Sequence, residues 1–424
     1  MAKFGVEYLF HPVGQGLFAS GRLNDCPKTG RDFNWVFDCG SIPDDNVKSA
    51  IENYKIDGHI IDLLAISHFD KDHCNGIQDL LKNRKIRVLL MPYLSVAERI
   101  MGAFHQGVAP DSEEMRWILN PLRYLIEVGK ERIGEIVLVS GSNEKAPEPG
   151  KDGDDSDSES DRRYRWQMKF KRLEREQLDE AQPQEIEELR SYGERAKIKI
   201  SVLDPNEVIS VSLRDRPAIW EFLPYNDRKF LSGKEETFLQ KIRAKSDDLF
   251  RNRGGEKTKL EEIRKIYEEI FGSSNNNHIS LFLYGGLPIN LKSAQNIRVL
   301  SKLTGNGEEK PLVFEMLNVS ILYTGDGNLK QRRYEKFEKF LHRDRIDRIC
   351  VLQVPHHGSK YNWHKGLANK IDPCISVFCA GSSNRHGHPH SSVFEDFELT
   401  KRVWVNEYCK FPFSLCFKYV SYSP

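Results

Sequence analysis

The run His68-Phe69-Asp70-Lys71-Asp72-His73 places two imidazoles and two carboxylates in one short loop. Imidazole and carboxylate are the ligand types of zinc, manganese and similar ions. Such a loop can turn His68 and Asp70 toward one centre and Asp72 and His73 toward a second. Three later loops carry related residues. Tyr323-Thr324-Gly325-Asp326-Gly327 ends a strand in a glycine turn, where a free backbone lets Asp326 approach a site closely. Val354-Pro355-His356-His357-Gly358-Ser359 sets two adjacent imidazoles before Gly-Ser. Arg385-His386-Gly387-His388-Pro389-His390 adds three more.

These loops need elements to hold them. Ile60 to Ser67 is a nearly continuous apolar run, hence a buried central strand whose end opens into His68. Phe4–Phe10, Leu17–Ala19 and Asn34–Phe37 read as strands, the last delivering Asp38 into the turn Asp38-Cys39-Gly40. Helices are expected over 45–54 and 75–83, and a strand over 86–91. Further strands are expected at 197–203, 218–223, 278–284, 313–317, 319–324, 349–354, 375–380, 403–408 and 413–419. The order is two αβ halves.

Two stretches break that order. From about 141 to 196 an acidic, Pro- and Gly-containing loop (143–161) leads into a charged, helix-prone segment. From about 225 to 275 charged residues alternate with Leu260, Ile263, Ile266, Tyr267 and Ile270 at helical spacing. Both read as insertions in one domain spanning 1–424. The acidic loop is expected to be the most protease-sensitive part.

Composition narrows the class. With 39% hydrophobic residues, the chain of 424 can build a core. Its 63 Lys and Arg against 62 Asp and Glu exclude a globally basic nucleic-acid binder, though not a local basic face. No run of about 18 apolar residues occurs, so no membrane partner is expected. The start MAKFGVEYLF is too short and polar for a signal peptide, and the eight cysteines form no C-x-x-C pair. A cytoplasmic protein with reduced thiols is expected.

Taken in order, His68-x-Asp70-x-Asp72-His73, Gly325-Asp326, Pro355-His356-His357-Gly358-Ser359 and Gly387-His388-Pro389-His390 resemble the metallo-β-lactamase superfamily. The nearest likeness is to soluble relatives of the nuclease-like domain of the competence protein ComEC, where Asp replaces the second His of the first motif, as Asp70 does here. Val13-Gly14-Gln15-Gly16, Asp38-Cys39-Gly40 and Asn277-His278-Ile279-Ser280 match further family motifs, so the resemblance runs from Val13 to His390. Leu17 departs from it, standing where the family often has Asp. The superfamily's further His ligand has only His105 and His278 as candidates.

The resemblance implies an α/β (α+β) fold, a four-layer αββα sandwich. It implies two divalent ions, zinc or manganese, with magnesium compatible. Asp72, His73 and His388 would hold one, and His68 and Asp70 would help hold the other. Asp326 would bridge them, as one carboxylate commonly does in two-metal sites. Asp70 in place of an imidazole makes its site harder and favours manganese or magnesium. Asp72 would also serve the reaction. His356 or His357 would protonate the leaving oxygen or bind phosphate, with Ser359 and the Gly358 backbone adding hydrogen bonds. Asp38, Asn277, His278 and His390 would support ligands or substrate.

The expected function is a metal-dependent phosphodiesterase or nuclease acting on DNA, as in bacterial defence or DNA-processing loci. The helix-like stretch 330–348 carries eight Lys and Arg after Asp326, interleaved with acids. Two other readings compete. One is hydrolysis of a small nucleotide or lactone. The other is a metal-binding effector subunit that docks a protein partner through the charged insertions.

Overall fold

The computed structural model describes residues 2–141, 164–173, 190–191, 193–205, 207–214, 216–226, 233–251, 256–272, 280–289, 298–299 and 319–419. Expectations for 143–161, most of the segment 162–194, the strand 313–317, Asn277 and His278 lie outside them. The strands, in chain order, are β1 (Ala2–Phe10), β2 (Phe18–Cys26), β3 (Phe33–Cys39), β4 (Ile60–Ala65), β5 (Lys85–Pro92), β6 (Ile133–Val139), β7 (Trp166–Lys169), β8 (Lys199–Leu203), β9 (Ile209–Leu213), β10 (Trp220–Asn226), β11 (Leu281–Gly286), β12 (Arg298–Val299), β13 (Ser320–Tyr323), β14 (Ile349–Gln353), β15 (Ile375–Cys379), β16 (Lys401–Val405) and β17 (Phe411–Tyr419).

They form two sheets. One has the order β12-β17-β1-β2-β3-β4-β5-β6-β8, the other β16-β15-β14-β13-β11-β10-β9-β7. Alternate residues of β1 (Phe4, Val6, Tyr8, Phe10) meet Trp35, Trp166, Trp220, Phe222 and Tyr323 between the sheets, all essentially fully buried. The indole N–H of Trp35 donates to the Tyr323 hydroxyl at 3.2 Å, crossing from sheet to sheet.

Helices cover both outer faces. Asp44–Asn53, Ile77–Asn83, Val96–His105, Glu113–Leu119, Pro121–Gly129, Gly233–Arg251 and Glu256–Phe271 bury residues such as Val47, Leu80, Ile100 and Ile263 in the core outside the first sheet. Gln331–Leu341, Leu367–Ile371 and Ser391–Asp396 do the same for the second, with Phe337, Phe340, Leu367 and Val393. The layers are therefore helix, sheet, sheet, helix, the α+β sandwich expected.

Within the stretch read as charged and helix-prone, Trp166–Lys169 is a strand at the edge of the second sheet. Trp166 and Met168 turn inward and Gln167 and Lys169 outward, a period of two too short to stand out among flanking charges. An acid also sits inside the apolar strand β4. Asp62 is fully buried, with Arg31 bidentate at 2.7 Å on both oxygens and Arg87 at 2.6 Å. Arg87 also donates to the Trp166 carbonyl at 2.9 Å, so this carboxylate anchors β7 against the first sheet.

Strands β3, β4, β5, β6 and β8 run parallel, as do β13, β14, β15 and β16. The ligand-type residues all follow the C-terminal ends of strands in these two parallel blocks.

Candidate metal centre

After Asp62, which Arg31 and Arg87 hold, β4 is apolar to its end, so the polar residues after Ala65 are free to face a site. Ser67 and His68 come next, and both are buried. The close turn after them is permitted by glycines on neighbouring loops. A Cβ on Gly16 would lie 2.5 Å from the Asp72 carbonyl oxygen, and one on Gly40 2.5 Å from the Asp72 carbonyl carbon. Gly325 (φ 52) lets the Asp326 loop close over Ser67 and Ser280 in the same way.

The geometry centres on Asp326. Its Oδ1 lies 3.2 Å from His73 Nε2 and 3.7 Å from His357 Nε2. Its Oδ2 lies 3.7 Å from His356 Nε2 and 3.9 Å from His68 Nε2. Asp72 Oδ2 is 3.4 Å from His357 Nε2 and 4.0 Å from His73 Nε2, while Asp70 Oδ2 is 3.1 Å from His68 Nε2. Two groups, His68-His73-Asp326 and Asp72-His73-His357, each bring their ligand atoms within 4.8 Å of one another.

Three of these imidazoles, His73, His68 and His357, are turned by a bond at the other nitrogen. Asp38, itself fully buried, accepts from His73 Nδ1 at 2.8 Å and from the Ser67 backbone N–H and hydroxyl at 2.7 Å. The Ser67 proton is thereby spent, so His68 Nδ1–H is the donor to Ser67 Oγ at 2.7 Å. His357 Nδ1–H donates to the Cys379 carbonyl at 2.6 Å. All three turn Nε2 toward Asp326, the nitrogen that would bind a metal once deprotonated.

Adjacent residues in an extended loop would turn apart, and one of His356 and His357 would face away. Here both have positive φ, 48° and 56°, and both rings reach Asp326. His388 stands further out, its ring centre 5.7 Å from that of His356 and 6.0 Å from that of His357. It is not in either ligand group. Ser359 is buried beneath the turn, its Oγ accepting the Tyr361 N–H at 3.3 Å. A Cβ on Gly358 would lie 2.6 Å from Pro389, and the Gly358 carbonyl accepts the His390 N–H at 3.1 Å, so these two residues join the third and fourth loops. His105 bonds Tyr267 at 2.6 Å, tying the helix Val96–His105 to the second insertion.

Electrostatics follow the geometry. Burial alone would raise the Asp326 carboxyl, but His356, His73 and His357 hold it well below its ordinary range. Asp72 is likewise buried, and His73 and His357 bring it down to about 2. Against burial, Asp326 and its neighbours raise His73 and His357. Burial and the surrounding imidazoles lower His388 to about 3, so it is neutral at pH 7.

Buried polar atoms nearly always find partners. Among the described residues, His68 Nε2, His73 Nε2 and Asp326 Oδ1 are buried and find no hydrogen-bond partner outside this cluster. Orphaned lone pairs converging on one carboxylate are what divalent cations would satisfy, and the donor set suits them.

Some residues that build this site carry no metal-type signal. Gln353, the last residue of β14, accepts the N–H groups of Thr324 and Gly325 at 2.8 Å and donates to the Gly325 carbonyl at 3.2 Å. Asn362 donates to the carbonyls of Asp326 and Gly327. Gln106 donates to Asp70. Their only trace in the sequence is a polar side chain where an apolar element ends.

The chain is similar to a recombination protein. Over 87 residues, 20% of its length, it is 33% identical to "Recombination protein 2" of Haemophilus influenzae. The match spans 10% of that relative. No family model matches the chain.

Proposed function

We propose that the chain is a metal-dependent phosphodiesterase of the metallo-β-lactamase type, acting on DNA, with one domain over 1–424 and insertions at about 141–196 and 225–275. The observation that carries this reading is Asp326, whose two oxygens face two sets of buried ligand atoms. Asp72, His73 and His357 would hold one ion, and His68, Asp70 and His356 the other, with Asp326 common to both. His357 thus takes the place that the resemblance gives to His388. The similarity to a recombination protein supports a DNA substrate.

When bound, two divalent ions supply a nucleophile from water near neutral pH and neutralise charge on a phosphoryl oxygen. The chain's own residues do the rest. Asp38 and Ser67 keep His73 and His68 in the ligand tautomer. Gln353 and Asn362 fix the loop that presents Asp326. Neutral His388, its Nδ1 buried and without a hydrogen-bond partner among the described residues, would hydrogen-bond a substrate oxygen beside the centre.

The test crosses zinc, manganese and magnesium with linear, circular and single-stranded DNA, RNA and a generic phosphodiester. Metal-dependent DNA cleavage that Asp326→Ala abolishes is expected. Absence of bound metal by elemental analysis and by titration would refute the reading.

A further inference from the structure

The opposite pole of the first sheet, where β4, β5 and β6 begin, holds a cleft of about 880 Å³. β4 separates it from His68, and six strand residues at about 3.3 Å each put roughly 20 Å between the two sites. The cleft was not part of any sequence motif. Its wall carries Lys48, Lys55, Lys82, Arg84, Lys85 and Arg132 against only Glu52 and Asp79.

The charges are unevenly paired. Lys82 bonds Asp79 at 2.5 Å and Lys48 bonds Asp45 at 3.3 Å. Lys55, Lys85 and Arg132 are exposed and form no ion pair among the described residues. Arg84 is the informative one, because it is only 8% exposed. It bonds the Ile51 and Tyr54 carbonyls at the end of the helix Asp44–Asn53 and lies 5.4 Å from the Tyr54 ring centre. Its Nε has no partner, and no carboxylate pairs with it among the described residues. A buried charge without a counter-ion is costly, and burial accordingly lowers the Arg84 pKa.

We propose that this cleft binds a phosphorylated ligand of nucleotide size. A single ion would not fill the space, which matches pockets that enclose small organic ligands. Cations from the helix Asp44–Asn53, the start of β5 and the segment before β6 surround it, so several negative charges are met at once. Ile51, Tyr54 and Ile56 offer an apolar wall for the uncharged part. The site is independent of the metal centre.

The experiment titrates the full chain, held in EDTA, with a fluorescent ATP analogue, using ATP, inorganic phosphate and a short single-stranded oligonucleotide as competitors. Saturable binding is expected, displaced by ATP and more weakly by phosphate. Loss of charge-assisted contacts in Lys85→Glu/Arg132→Glu should weaken it by about tenfold or more. Lys55→Glu, on a separate segment, should weaken it too, and Asp326→Ala should leave it unchanged. All these cleft side chains are exposed, and coincident melting curves verify that the variants fold. No saturable binding, binding indifferent to the charge reversals, binding lost in Asp326→Ala, or binding of the oligonucleotide without the ATP analogue would each overturn the proposal.

Discussion

At the scale of residues, one carboxylate decides the centre. In the proposed two-ion centre Asp326→Ala should abolish binding of both ions, because both proposed ligand sets share it. His357→Ala should lose one ion, whereas His388→Ala should keep both and lose activity by about 10²–10⁴-fold, as expected for a positioned hydrogen-bonding group. Elemental analysis beside kinetics separates these outcomes, and retention of full metal in His357→Ala would return His388 to the ligand set. A second residue, far from ordinary titration, is His11. It is buried, stacks on Phe18 with ring centres 3.8 Å apart and bonds Ser20, and burial, with Lys410, lowers it to about 3. Unfolded His11 takes up a proton below about 6.5 while the folded residue does not. Its contribution to stability is therefore complete above pH 6.5 and lost as pH falls toward 3, by up to about 1.4 kcal/mol per pH unit. His11→Gln should flatten that decline between pH 6.5 and 4.5 in urea titrations; an unchanged slope would show that His11 does not titrate this way. The ligand-type residues near Asp326 were legible because His and Asp clustered at apolar strand ends. Which of His356, His357 and His388 lies nearest was not, since that depends on two positive φ angles which residue types do not announce.

Elements were read best where one period dominates. β4 and β14 are nearly continuous apolar runs, broken only by Asp62 and the final Gln353, and β1 alternates cleanly, so each was visible with ends shifted by a residue or two. β7 was hidden, being four residues set in charge, and Ile209–Leu213 was too short to separate from its surroundings. The helices between Val96 and Gly129 were not read, although Ser95 and Glu98 form a capping box after β5 and Asn120-Pro121 opens the last of them. Asp62 is the exception inside a legible strand. Its acid looks misplaced until Arg31 and Arg87 are seen to meet it. Asp62→Ala would leave two partly or fully buried guanidinium groups uncompensated and should cost about 3–5 kcal/mol. Chemical denaturation would measure this, and a loss below about 1 kcal/mol, the range of an exposed pair, would mean that water already screens the cluster. Arg87, which Asp62 holds, also bonds the Trp166 carbonyl, so the same variant should also expose Trp166, seen as a red shift of tryptophan fluorescence.

Across the whole molecule, the two sheets contribute separately to the centre. His68, Asp70, Asp72 and His73 follow the first sheet, and Asp326, His356 and His357 the second. Bound ions would fasten the two together. Chelation should lower the melting temperature, by the equivalent of about 2.7 kcal/mol if the free metal had been at 100 times its dissociation constant. Calorimetry with and without EDTA checks it, and coincident curves would count against tight binding. The first sheet is also closed late in the chain. β1 lies between β2 and β17, with nine register pairs from Ala2 opposite Tyr419 to Phe10 opposite Phe411. Removing 411–424 should bare the edge of β1, and size-exclusion chromatography should find aggregate in place of monomer. For a chain being made on the ribosome, this pairing imposes a wait. At about 5–20 residues per second, β1 emerges and stays unpaired on one side for roughly 20–80 s until β17 is synthesised, long enough for a chaperone that shields strand edges to set the yield.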